Sequence, residues 1–152
     1  MAAPVERERL ILVPVNGTAL DQRALDIALL ISARDYADLA AVYVVVVPQE
    51  LPLDAEMPDA VARGEEVLRA AEEYARAHGR DIEVELLQAR AAGPAIVDEA
   101  VLRGAGMIVM ATSLFRRAGE VTIGRTTVPY VLKNAPCEVV VTRHPAIVKK
   151  QQ

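Results

Sequence analysis

Leu10-Ile11-Leu12-Val13-Pro14-Val15-Asn16-Gly17-Thr18 is a continuous apolar run that ends in a turn pair and passes directly into a helix-patterned segment. An unbroken apolar run marks a strand covered on both faces, because a strand with one wet face alternates. Asn16-Gly17 stops the strand. Thr18, with Asp21 three residues on, reads as a capping box at the start of a helix. Leu20, Ala24, Ile27, Ala28 and Ile31 then fall on one helical face, with Asp21, Arg23 and Arg34 off it. A buried strand feeding an amphipathic helix is the first half of a βαβ unit.

The rest of the chain repeats that theme. Leu39 to Val47 is a second apolar run, closed by Pro48. The segment holding Pro48, Pro52 and Pro58 has no period and reads as a loop. A helix is expected from about Asp59 to His78, with Val61, Leu68, Ala71 and Ala75 inward and Gly79 as its stop. Ile82, Val84 and Leu86 alternate with Glu83 and Glu85, the mark of a half-exposed strand at a sheet edge. Gly93-Pro94 opens a third helix, with Ile96, Val97, Ala100 and Val101 inward and Gly104 and Gly106 at its close. Met107 to Met110 is a short buried strand, and Ala111 to Ile123 reads as a polar, arginine-bearing loop. The last helix runs from about Thr126 to Asn134, and Val139-Val140-Val141 is the final strand. The pattern predicts an α/β fold of five strands and four helices with the first strand central. The domain is expected over 1–145, with a tail over 146–152.

The totals narrow the function classes. A chain of 152 residues fits one domain. Its residues are 53% apolar but only 3% aromatic, so small and β-branched side chains must fill the core. A net charge of −4 lacks the basic face that nucleic acid requires. One cysteine, Cys137, forbids an internal disulfide and suits a reducing compartment, so a cytoplasmic setting is expected. The longest apolar run falls far short of the ~20 residues that span a bilayer, so no direct membrane insertion is expected.

Three segments resemble the universal stress protein family. The opening strand through Thr18 is similar to the family's first strand, which usually ends in Val-Asp-Gly-Ser. Val42-Tyr43-Val44-Val45 stands where the family often shows a His-Val pair. The third runs from Met107 to Arg143 and includes Ile108-Val109-Met110-Ala111-Thr112-Ser113 and Val131-Leu132-Lys133-Asn134-Ala135-Pro136-Cys137. The resemblance implies a three-layer, Rossmann-like fold of the adenine-nucleotide α-hydrolase kind, with a five-stranded parallel sheet in the order 3-2-1-4-5. It also implies a homodimer. Members that hold a nucleotide bind ATP, ADP or AMP at the carboxyl ends of strands 1 and 4, the switch point where open α/β sheets take ligands. Carried onto this sequence, that site comprises Pro14, Val15, Asn16, Val44, Met110 and Ala111, then Leu114, Gly124, Arg125, Thr126 and Thr127.

The family's nucleotide-binding branch carries Gly-x-x-Gly, nine residues, then Gly with Ser or Thr. Its glycines let backbone N–H groups approach phosphates closely. Here Ala111 and Leu114 replace the first two glycines, Gly124 is kept, and Arg125 precedes Thr126 and Thr127. Arg116, Arg117 and Arg125 read either as phosphate contacts, held bidentately, or as a solvated loop. Thr126 reads either as an anion contact at a helix N-terminus or as an ordinary N-cap. Asn16 stands where the family has Asp, and reads equally as a turn residue before Gly17. Val44 matches a position beside adenine in the family, or else belongs to the core.

No carboxylate pair, nucleophile–base set or Cys/His cluster with metal spacing is visible, and His78 and His144 fall away from the expected cleft. A non-catalytic regulatory domain is therefore expected, with at most slow incidental ATP hydrolysis and no metal. Its ligand would be an adenine nucleotide or another phosphate-bearing molecule. One alternative is a nucleotide-free dimeric scaffold whose altered loop binds a protein partner. Another is a cytoplasmic regulatory domain of a membrane transporter, because Arg116-Arg117 and Gly124-Arg125-Thr126-Thr127 resemble the family variant on amino-acid permease tails. The uncharged, β-branched edge Val139-Val140-Val141 is expected to pair across a two-fold axis, while Glu83 and Glu85 discourage pairing at the other edge.

Overall fold

In the computed structural model the run opening at Leu10 forms β1 (Leu10–Pro14), and its residues turn alternately to two helix layers. Residues 9–117, 120–123 and 126–149 are described, with the backbone path alone for 115–117, 120–123 and 146–149. After β1 come α1 (Leu20–Asp35), β2 (Asp38–Val46), α2 (Pro58–Ala77), β3 (Glu83–Ala89), α3 (Ala92–Arg103) and β4 (Met107–Arg117). Then follow β5 (Glu120–Ile123), α4 (Thr127–Asn134) and β6 (Glu138–Lys149). The parallel strands lie in the order β3-β2-β1-β4-β6, which is 3-2-1-4-5 counted over those five.

The reason for the unbroken apolar runs is now visible. Ile11 and Val13 pack with Ala24, Leu25 and Ala28 of α1 and Leu68 of α2. Leu10 and Leu12 pack the other way, with Ile96 and Val97 of α3 and Val128 and Val131 of α4. Leu12 and Val13 are fully buried. In β3, at the sheet edge, Glu83 and Glu85 are exposed, as their alternation requires. The proline-bearing segment after β2 has no period of its own and is held from β3 and the residue beyond it. Gln88 Nε2 donates to the Leu53 and Ala55 carbonyls at 2.8 and 2.7 Å, and Arg90 Nη1 donates to those of Pro48 and Leu51 at 2.6 and 2.7 Å.

Four expectations are corrected. Ala111 to Ile123 is not a loop: β4 continues to Arg117, and β5 folds back antiparallel on it, from Leu114↔Ile123 to Arg117↔Glu120. The signal was there in Val121-Thr122-Ile123, a β-branched run, and in a glycine between the paired ends, at position 119. The polar residues Thr112, Ser113, Arg116 and Arg117 concealed it. The final strand is longer than Val139-Val140-Val141 and runs to Lys149 beside β4. The capping box does not form. Helix α1 starts at Leu20 after Ala19, with no side-chain cap, and Asp21 is used elsewhere. Val101, placed inward by its spacing, is 60% exposed because α3 buries only the stripe through Ile96, Val97 and Ala100.

Helix α2 packs tightly on the side chains of β2 and β3 at Gly64, which is buried. A Cβ there would stand 2.6 Å from Tyr43 Cδ1 and 2.8 Å from Leu86 Cδ1. Overpacking of this kind costs about 1–3 kcal/mol, which outweighs the ~1 kcal/mol that alanine gains over glycine in a helix. Gly64→Ala is therefore expected to lower the urea midpoint with an unchanged slope. A midpoint that stays or rises would mean that α2 has room to slide.

Candidate functional site

Strands β1 and β4 share two rungs, Ile11↔Met107 and Leu12↔Ile108. Strand β1 then ends at Pro14 while β4 runs on to Arg117. A cleft of about 250 Å³ opens at the carboxyl ends of the strands. Its floor is Pro14, Val15 and Asn16 after β1, Val42, Tyr43 and Val44 of β2, and Met110, Ala111 and Thr112 of β4. Asp21 and Ala24 of α1 form one wall. Ala92 and Ile96 of α3 with Thr127 and Val128 of α4 form the other.

The structure thus brings together Pro14, Val15, Asn16, Val44, Met110, Ala111 and Thr127 from the sequence-selected set. Leu114 and Thr126 are not among the lining residues. Leu114 is a strand residue, paired with Ile123 of β5 and Ile147 of β6, so it does not stand over the cleft as a plug. Thr126 is the N-cap residue of α4, but its hydroxyl makes no cap hydrogen bond. Gly124 and Arg125 lie outside the described residues, and Arg116 and Arg117 are described by their backbone only.

The turn between β1 and α1 shapes the polar rim. Asn16 Oδ1 accepts from the Thr18 N–H at 3.1 Å and the Thr18 hydroxyl at 2.9 Å. Both lone-pair directions of that oxygen are engaged, so Asn16 offers a ligand the NH₂ of its amide. Asp21 reaches back and accepts from the Asn16 N–H at 3.0 Å and the Gly17 N–H at 2.8 Å. Gly17 has φ +87°, and a Cβ on it would lie 2.9 Å from Val67 Cγ2. Glycine alone suits both conditions.

Asp21 is one of the site residues that sequence reasoning missed, with Ile96 and Thr112 among the others. Its position three residues after Thr18 suggested a cap, but the carboxylate serves the turn and the cleft instead. Burial pushes its carboxyl above the ordinary 3.8, while the two backbone N–H bonds pull it down by less. The folded chain therefore holds this proton more tightly than the unfolded chain does. The stability Asp21 contributes is greatest in acid and declines as pH rises from 3.8 through the raised midpoint. His144 is not among the lining residues of the cleft. It sits inside β6 in register with Ser113, one rung beyond Thr112↔Arg143.

Val44, Met110 and Ile96 suit a flat apolar group, and Asn16, Asp21, Thr112 and Thr127 supply polar contacts around it. Among the described residues no group of three or more His, Cys, Asp or Glu is arranged to hold a metal ion. No described helix is long and apolar enough to cross a membrane.

A search of curated proteins finds no match. Solved structures do match. A universal stress protein from Archaeoglobus fulgidus in complex with dAMP superposes with a TM-score of 0.70 at 20% identity, covering 89% of this chain and 98% of that one. UspA from Lactobacillus plantarum gives 0.70 at 26% identity, covering 90% and 99%. A family protein from Arabidopsis thaliana with AMP bound gives 0.65 at 16% identity, covering 91% and 93%. The model of the Universal stress protein family matches residues 8–143. This chain belongs to the universal stress protein family.

Proposed function

We propose that this chain is a non-catalytic regulatory domain that binds an adenine nucleotide in the cleft between the ends of β1 and β4. The observation that carries the reading is the cleft itself. An apolar floor at the switch point of the sheet is bordered by a turn in which the Asn16 oxygen is occupied and its amide NH₂ has no partner among the described residues. Solved relatives hold dAMP, cAMP and AMP. The base would lie against Val44 and Met110, with the ribose toward Asn16 and Asp21. Binding would then tie α1, α3 and α4 to one ligand, and a change in their packing is the signal a partner would read. The single cysteine supports a cytoplasmic setting.

Strand β6 supports a homodimer. It pairs with β4, and no second strand partner covers its other edge among the described residues. Val139, Val140 and Val141 there carry no charge to discourage a second copy.

Titration with ATP, ADP and AMP should raise the melting temperature, by the equivalent of about 2.7 kcal/mol at 100 times the dissociation constant. No shift with any of them would favour the nucleotide-free scaffold. The Asp21 carboxyl, followed by NMR, should titrate above 3.8 in the free protein and higher still with nucleotide bound, because a phosphate and lost water both disfavour its charge. Affinity should then rise as pH falls through that range. A midpoint unmoved by bound nucleotide would place the ligand elsewhere. Light scattering should give a dimer whose melting temperature falls on dilution; a monomer at micromolar concentration would overturn the β6 interface.

A further inference from the structure

One strand beyond the cleft lies a second recess of about 350 Å³, lined by Leu20, Arg23, Thr142, Arg143, His144 and Pro145. Two features build it. The β4–β6 ladder is regular from Met107↔Glu138 to Ser113↔His144, and then Leu114 pairs with Ile147. Two extra residues, Pro145 and Ala146, therefore interrupt β6, and bulges of this kind bend a strand and re-aim its side chains. The first turn of α1 closes the other side, with Leu20 and Arg23 at the recess and Asp21 and Ala24 at the cleft.

The two cavities therefore share their walls. Ala111 and Thr112 line the cleft, and their β6 partners Thr142 and Arg143 line the recess. Neighbouring strands lie about 4.8 Å apart, roughly the step from one phosphate to the next but one along a chain.

Charge is divided between them. The cleft lining contains no Lys, Arg or His, and its one carboxylate is Asp21. The recess lining contains two arginines and a histidine and no carboxylate. Asp26, three residues along α1 from Arg23, accepts a hydrogen bond from the Tyr74 hydroxyl. Where the family's first two glycines would offer backbone N–H groups to phosphates, this chain has strand β4, paired with β6 at Ala111 and with both β5 and β6 at Leu114. Guanidinium groups are permanently charged and shaped to hold phosphate.

We propose that this recess is an anion subsite, in which Arg23 and Arg143 hold the terminal phosphate of a ligand whose base lies in the cleft. The inference rests on the cleft being a nucleotide site, and it specifies the ligand class as an adenine nucleotide with two or more phosphates, laid across β4 toward β6.

The test is a dissociation-constant series for adenosine, AMP, ADP and ATP, in the wild type and in Arg23→Gln/Arg143→Gln. Both positions are exposed, so unliganded melting should change little. In the wild type, affinity should tighten by about tenfold or more from adenosine to ADP or ATP, and the double variant should lose that gain while binding adenosine as before. A flat series in the wild type with adenosine still bound would overturn the subsite and leave the cleft reading standing. A steep series unchanged by the two substitutions would also overturn it, placing the phosphates elsewhere. Failure of every ligand, adenosine included, would remove the cleft reading and the subsite with it.

Discussion

Strand β1 is buried from Leu10 to Val13, and only Pro14, at the end that meets the cleft, is partly exposed. Its faces are covered by α1 and by α3 with α4, and its edges pair with β2 and β4. Its backbone groups can be satisfied only by parallel neighbours, which fixes the centre of the sheet. It is also short. Where it stops at Pro14, β2 and β4 go on, and the helices on opposite faces no longer have a strand between them. The cleft is the space left by that early ending, and each lining residue is placed by one of the elements that β1 organises.

The turn that ends β1 is held together by the same groups that face the cleft. Asn16 uses its oxygen on Thr18, and Asp21 uses both of its oxygens on the backbone of Asn16 and Gly17. This rigidifies the rim, and a rim already ordered would lower the ordering cost of a ligand bound there. It also keeps a carboxyl in a partly dry position, where burial disfavours its ionised form.

The departure from the family's glycine pattern has a structural counterpart. Glycines are needed where a loop must bring its backbone against phosphate. In this chain Leu114 to Arg117 form ladder rungs with Ile123 to Glu120, so no loop backbone is available there and no glycine is required. Ala111 and Leu114 then fit as ordinary strand residues. The cations stand beyond β4, at a bulge that only a long β6 can make.

Most of the architecture was legible in local pattern. The apolar runs at Leu10 and Leu39, the alternation from Ile82 to Leu86 and the helix stop at Gly79 each follow from a period or a single residue's conformational needs. Part of the cleft was reached through the family resemblance, which brought in Pro14, Val15, Asn16, Val44, Met110, Ala111 and Thr127. What the sequence by itself determined was therefore the order of elements and the burial of the central strands, since these depend on neighbours in the chain. Only the tertiary structure decided that Asp21 meets Ile96 and Thr127 around one cleft, and that Arg23 and Arg143 share one recess. Those outcomes depend on residues brought together across strands and helices, and no spacing along the chain encodes such a meeting.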